Sequence, residues 1–234
     1  MQYGKAYGYF LNREGGATST LLASLALAST AVIPVVGQLV FLGYQAEVTE
    51  DLEHDPALED HDDFSFDNLV RYLKRGVWPF LMHLIVGAIA AVGLVAAIAV
   101  GGVVAWSLEA PWVAVAAYFV LLTPVLFLSS LFSLPLVLHT QLTGELRVGA
   151  AFAFASRFLG KLWGQCLVTL FVHFLISGVL TTVGLLCCCV GVYPATVVVM
   201  MAQDHLSVQL YRLYLAEGGE PVGSAAEEAE YRDE

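Results

Sequence analysis

Two long stretches without a single Asp, Glu, Lys or Arg, residues 80–106 and 112–138, constrain this chain more than any other feature. A helix of about 20 apolar residues is long enough to cross the hydrocarbon core of a bilayer. The whole chain is 58% hydrophobic and only 13% charged, whereas soluble domains carry roughly 25% charged residues. A soluble core of this size could not bury so much apolar surface. We therefore predict an all-α fold, a polytopic helical membrane protein embedded in the lipid bilayer.

The apolar runs predict four clear transmembrane helices. The third covers about 163–186, and the fourth begins near Cys187 or Val192 and emerges between Asp204 and Tyr214. Two amphipathic helices are predicted at the cytoplasmic interface, one from Phe66 before the first span and one in the mixed segment 139–162, because basic residues there share helical spacing with apolar ones.

The apolar stretch 17–46 is interrupted at Pro34 and Gly37. Proline removes a backbone donor, so a helix break is predicted here. Each piece is shorter than the ~20 residues that a crossing needs. We therefore expect an N-terminal re-entrant hairpin, with one long kinked crossing as the alternative.

The distribution of charge predicts the domain organisation and the orientation. We expect a polar lead over residues 1–16, a single membrane domain over 17–216 with an acidic loop at 47–64, and an acidic, disordered tail over 217–234. With a hairpin at the start, all ten Lys and Arg residues fall on one side, which the positive-inside rule makes cytoplasmic. This predicts the cell (inner) membrane with both termini in the cytoplasm. The net charge of −11 argues against nucleic acid as a partner.

Several short motifs along the chain form a recognisable pattern. They are Pro34-Val35-Val36-Gly37 with Leu42-Gly43-Tyr44, Asp55-Pro56, Gly76-Val77-Trp78-Pro79-Phe80, Gly149-Ala150-Ala151-Phe152, Gly191-Val192-Tyr193-Pro194, and His205 with Gln209. Together they resemble a family of prokaryotic polytopic membrane proteins, domain-of-unknown-function family 4013. The resemblance implies a helical membrane domain over most of residues 1–216 and implies no activity. The tail lies outside it, and the linker is more acidic than the family pattern.

No familiar catalytic or cofactor motif is present in the sequence. The chain has no phosphate loop, no zinc helix of the His-Glu-x-x-His type and no nucleophile elbow. We therefore expect no enzyme, no cofactor and no metal. His54 and His61 in the acidic segment could bind a divalent cation, but a calcium loop needs a glycine turn that this stretch lacks, so a solvated loop is the favoured interpretation.

A few polar residues fall inside the predicted spans. His83, His173 and Gln165 form a candidate proton site, because ionisable groups within a span often mark a pathway and histidine titrates near neutral pH. The alternative is that each histidine only hydrogen-bonds to a neighbouring helix. Gln203, Asp204 and His205 lie about one turn from a polar end, which predicts an interfacial cap or a site.

Gly93, Ala97, Gly101 and Ala105 recur every four residues on one face of the first span. Small residues let helix backbones approach closely, so this ridge should pack against another helix, within the chain or between subunits. Together these features favour a structural or accessory component of a membrane assembly, with a protein partner or a second copy in the membrane. The alternative is a small transporter or channel, proton-linked through the intramembrane histidines.

Overall fold

The computed structural model describes residues 1–13, 15–55, 57–108, 111–187 and 190–223, apart from the side chains of residues 104–108, 111–115 and 117. These residues form an all-helical protein. Two short 3-10 turns, Ser29–Ala31 and Phe66–Asn68, accompany the α-helices. The helices are α1 (Tyr3–Asn12), α2 (Gly16–Ala28), α3 (Pro34–His54), α4 (Leu69–Leu108), α5 (Pro111–Thr143), α6 (Val148–Leu186) and α7 (Val192–Ala216).

Three helices, α4, α5 and α6, are long and apolar enough to cross a membrane. Each contains an apolar stretch of 18 residues with no more than 2 Asp, Glu, Lys or Arg. The fourth predicted span corresponds to α7, which does not meet the same criteria of length and composition among the described residues. The C-terminal half of α7 carries Asp204, His205 and Arg212, and these groups lower its hydropathy. A crossing by α7 therefore stays a prediction.

The broken apolar stretch forms an antiparallel hairpin of α2 and α3. The chain turns at Val32 and Ile33, and Pro34 opens α3 at a position where its missing N–H costs nothing. Ser19 Oγ, near the start of α2, donates to Asp63 Oδ1 at 2.8 Å. Asp63 belongs to the loop that follows the end of α3 at His54. The start of α2 and the end of α3 therefore both lie beside this loop. A single kinked crossing does not describe this geometry.

The acidic loop is shorter than predicted. Residues 47–54 belong to α3, so the connection begins only at Asp55. The acidic turns of α3 stay helical because they are paired: Arg71 Nη2 donates to Glu47 Oε2 at 2.7 Å, and Arg75 binds Glu50. The loop of residues 55–65 then leads into α4.

Neither predicted amphipathic helix is separate from its span. The first continues into α4 through Pro79 without interruption. The second is the N-terminal part of α6, set off only by a kink at Leu162, where φ is −116° and ψ is 18°. Continuing the helix keeps backbone groups paired as the chain enters an apolar region, where unpaired ones are costly.

The start of the predicted tail, residues 217–223, packs against the helices, and the disorder predicted for residues 217–234 stays a prediction. Val222 donates its N–H to Tyr211 Oη at 2.8 Å, and its side chain packs against the core around Phe154 and Tyr211. Arg157 also binds Glu220 at 3.2 Å. Residues 217–223 thus cover the ends of α5, α6 and α7, and residues 224–234 lie outside the described part.

Packing is tightest at one end of the molecule. We call this end the basal layer: α1, α2, α3, residues 55–65, the C-terminal half of α7 and the adjoining ends of α4, α5 and α6. Within it, Gly43 and Gly76 let the backbones of α3 and α4 touch, since a Cβ on Gly43 would lie 1.9 Å from the Tyr72 carbonyl oxygen. Beyond it, α4 pairs with α5, and α6 with α7.

The small-residue ridge of α4 faces α5 within the same chain. A Cβ on Gly93 would approach Val125, and one on Gly101 would meet the ring of Tyr118 at 2.7 Å. Ala97 between them is buried, while the side chain of Ala105 lies outside the description. Small residues at this seam let the two membrane helices approach closely.

Candidate functional site

His83 makes its hydrogen bond within its own helix. Its Nδ1 lies 2.8 Å from the Pro79 carbonyl oxygen, one turn earlier in α4. That geometry requires the proton on Nδ1, so the imidazole reinforces the helix next to a proline.

His173 on α6 is bound by the N-terminal helix. Tyr7 Oη on α1 lies 2.8 Å from His173 Nδ1, and Ser177 Oγ lies 3.3 Å from Nε2. Both ring nitrogens therefore have partners. Sequence analysis missed Tyr7, because nothing in a short polar lead indicates that it packs against the third span.

The predicted proton site of His83, His173 and Gln165 is not assembled in the structure. α4 packs against α3 and α5, whereas His173 faces α1 from α6. Gln165 is exposed on the outside of α6. The three cavities described, of about 490, 280 and 490 Å³, open in the basal layer rather than between the spans.

The structure instead brings three helices together at Asp204. Gln45 Nε2 on α3 donates to Asp204 Oδ2 at 2.6 Å, and Gln141 Nε2 on α5 donates to Asp204 Oδ1 at 3.3 Å. Asp204 is only 5% exposed. Gln45 lies two residues after Gly43, whose backbone contacts that of Tyr72, so the junction lies at the same level along α3 as the close contact between α3 and α4.

Burial dominates the electrostatics of Asp204. Desolvation raises its pKa to about 7, although the hydrogen bonds from Gln45 and Gln141 act in the opposite direction. Among the described residues, no Lys, Arg or His makes an ion pair with it. A buried carboxyl without a cation favours the neutral form.

His205 ties α7 to the acidic loop. It is fully buried; its Nε2 donates to the Leu58 carbonyl oxygen at 3.1 Å, and its Nδ1 accepts from Gln209 Nε2 at 2.9 Å. Leu58 adopts a φ of 58°, a conformation that costs energy for a branched side chain. Desolvation lowers the pKa of His205 to about 4, so the neutral ring holds this loop.

Gln203, Asp204 and His205 do not form the helix-end cap that the sequence predicted. All three lie in the middle of α7 rather than at its end, and the side chains of Asp204 and His205 are buried between helices. Only Gln203 is partly exposed.

The loop of residues 55–65 is held by Asp55 and Arg212. Asp55 accepts hydrogen bonds from the backbone N–H groups of Glu59, Asp60 and Ala57, which lower its pKa to about 2. Arg212 donates to the carbonyl oxygens at the end of α3 and at Asp55. These contacts satisfy carbonyls that a helix end leaves without partners.

His61, one of two histidines considered for a cation, is buried against aromatic rings. Its ring stacks on Phe10 at 5.5 Å and meets Tyr9 edge-on at 5.4 Å. Desolvation lowers its pKa to about 4. Within the described residues, no group of three or more His, Cys, Asp or Glu side chains is arranged to hold a metal ion.

Sequence reasoning selected Asp204 and His205 but missed the partners that define the junction. Gln45 lies 159 residues away and Gln141 63 residues away along the chain. A weak signal exists, since Gln45 is a lone amide at the end of the apolar run 39–44. Nothing in that signal identifies a distant carboxyl group as its partner.

Residues 26–189 match the sequence profile of a family described as "Protein of unknown function (DUF4013)". The match covers more than half of the 234 residues. Comparisons with curated proteins and with solved structures gave no match.

Proposed function

We propose that this chain, which belongs to the DUF4013 family, is a structural or accessory component of a membrane assembly. Its partners are the lipid bilayer and a second membrane protein or a second copy of itself. In this proposal the chain lies in the cell membrane with both termini in the cytoplasm, and it catalyses no reaction.

The low burial of the three membrane helices carries this proposal. Only 17%, 28% and 17% of the residues in their most apolar windows are buried within the chain. The basal layer, by contrast, contains packed aromatic clusters around Tyr44 and Phe154. A protein that packs one end densely and leaves its spans open offers lateral surface to lipid and to other membrane helices.

The orientation is supported by the basic residues. The basal layer contains Lys5 on α1, Arg13 directly after α1, Arg71 on α4, Arg157 on α6 and Arg212 on α7. An excess of Lys and Arg on one side favours the cytoplasm for that side.

The alternative, transport through His83 and His173, has less support. His83 is hydrogen-bonded to Pro79 and His173 to Tyr7, and the two histidines do not share a site in the described structure. A reconstituted vesicle assay separates the two proposals. pH-dependent flux that is lost in both His83→Ala and His173→Ala would favour transport and overturn the accessory role.

Site-specific cross-linking tests the accessory role directly. A photoreactive amino acid is placed at Val92 on α4 or at Phe174 on α6, which are 73% and 72% exposed. We expect a protein adduct of defined mass in native membranes from at least one position. Asp60 in the basal loop, also exposed, is the control position and should give no such adduct. Lipid adducts alone from both span positions would contradict the proposal.

A further inference from the structure

The junction of α3, α5 and α7 contains a carboxyl group with neutral partners. Asp204 receives N–H groups from two amides, Gln45 and Gln141. Buried charges in proteins are ordinarily paired with an opposite charge or a metal. An ionised Asp204 would have neither among the described residues.

The surrounding titratable groups cannot supply the missing charge. The Lys and Arg side chains on the elements packed against α7 already have partners, several other titratable groups there are hydrogen-bonded, and α2 has no titratable side chain. Tyr9 donates to the Met201 carbonyl oxygen, Tyr44 donates to the Asp62 carbonyl oxygen, and Glu47 pairs with Arg71. The cations on these helices are engaged elsewhere: Lys5 on α1 pairs with Glu59, Arg157 on α6 pairs with Glu220, Lys161 on α6 donates to the Glu217 carbonyl oxygen, and Arg212 on α7 donates to carbonyl oxygens at the end of α3. Other titratable side chains on them include His139 on α5, Cys166 and His173 on α6, and His205 on α7.

Gln45 provides a second, independent observation. Its side chain is 4% exposed, and its Oε1 has no hydrogen-bond partner in the described structure. This oxygen belongs to the same amide group that touches Asp204, so the junction holds a surplus of acceptor oxygens. A proton is the smallest ligand that converts one acceptor into a donor.

We propose that Asp204 binds a proton in the folded protein, and that this proton holds α7 against α3 and α5. The neutral acid keeps an oxygen that accepts from Gln45. If the side-chain amide of Gln141 rotated so that its oxygen and nitrogen exchanged places, its Oε1 could accept a hydrogen bond from the protonated carboxyl of Asp204. Loss of the proton leaves a charge among apolar neighbours such as Val208 and Met201, both fully buried, so the three helices separate or admit water.

The sign of the pH dependence follows from the raised pKa of Asp204. Because the folded-state pKa is about 7 and the ordinary value is about 3.9, the folded protein holds a proton that the unfolded chain has released. Its stabilising contribution is complete below the lower value, falls as the pH rises towards 7, and is constant above that. His61 and His205 titrate in the opposite sense, since their folded pKa values are lowered.

Thermal unfolding of the full chain in detergent, for wild type and Asp204→Asn, isolates this contribution, because both proteins share the histidines. Asparagine has the shape of the neutral acid. We expect the melting temperature of Asp204→Asn, relative to wild type, to rise by about 4–8 °C between pH 5.5 and pH 8.5. Asp60→Asn in the exposed loop is the matched control and should show no such change. A difference that is independent of pH, or one that favours wild type at high pH, would overturn the proposal.

A direct measurement avoids reliance on the Asn variant. We expect the infrared carbonyl band of a protonated carboxylic acid in wild type at pH 6, disappearing as the pH is raised to 9. In Gln45→Ala the band should persist to higher pH, because the lost N–H donor favoured the ionised form. Absence of the band at pH 6, or a band that disappears at the same or lower pH in Gln45→Ala, would refute protonation of Asp204.

Discussion

Replacing Gly43 by Ala should force α3 and α4 apart. The new Cβ would lie 1.9 Å from the Tyr72 carbonyl oxygen, and ordinary contact begins near 3.4 Å. The helices would therefore have to move by the difference, 3.4 − 1.9 = 1.5 Å. The obstructing atom is backbone, so no side-chain rotation can relieve the clash.

The expected cost combines two opposing effects. Overpacking a tight contact costs about 1–3 kcal/mol, while Ala in place of Gly within a helix gains roughly 0.5–1 kcal/mol. We expect a net loss of about 1–2 kcal/mol in the free energy of unfolding, because the obstructing group is rigid. The shift should also weaken the Arg71–Glu47 pair that joins the same two helices.

The measurement is unfolding of the purified protein in detergent, followed by circular dichroism. Gly160→Ala on α6 is the matched control, since nothing lies within 4 Å of its added Cβ, and it should stabilise slightly. Adding Gly76→Ala to Gly43→Ala should cost less than the sum of the single variants, because both act at one crossing. The reasoning fails if Gly43→Ala is as stable as Gly160→Ala.

Three further changes test other parts of the basal layer. Tyr7→Phe removes the hydrogen bond to His173 and should lower the free energy of unfolding by about 1 kcal/mol. Tyr3→Phe removes a contact of 3.5 Å with Thr169 and should cost less. Equal costs for the two variants in chemical unfolding would contradict this. The folded pKa of His205 is lowered to about 4, so its stabilising contribution is present above pH 6.5 and lost as the pH falls towards 4. The melting temperature of His205→Gln should therefore fall less than that of wild type over this pH range. Arg212→Ala frees the carbonyls at the end of α3, and we expect faster amide hydrogen exchange in residues 55–65; unchanged exchange there would show that the loop does not depend on this side chain.

The membrane class of the fold could be predicted because composition alone determines it. Runs such as residues 80–106 contain no charge, and no soluble core could bury them. The helix break at Pro34 could also be predicted from the sequence, since proline acts through local backbone geometry. These properties are local and need no knowledge of distant contacts.

The boundaries that were wrong depend on distant partners. The acidic turns of α3 remain helical because Arg71 and Arg75 neutralise them from α4, and no local pattern indicates that pairing. Likewise Val222 is held against the helices by hydrogen bonds between its backbone and Tyr211 and by packing of its side chain. The sequence identifies Asp204 as unusual but cannot show that Gln45 reaches it from another helix.

The position of α1 has a consequence for biosynthesis. Its residues Tyr7 and Tyr9 bind α6 and α7, and Gln2 binds Gln209 near the end of α7. Because α1 precedes α6 and α7 in the chain, it finds these partners only after both later helices have been made. Until then Tyr7 and Tyr9 lack these partners, although Phe10 can already stack on His61. The membrane surface or a chaperone is therefore the temporary neighbour of this side of α1 during synthesis.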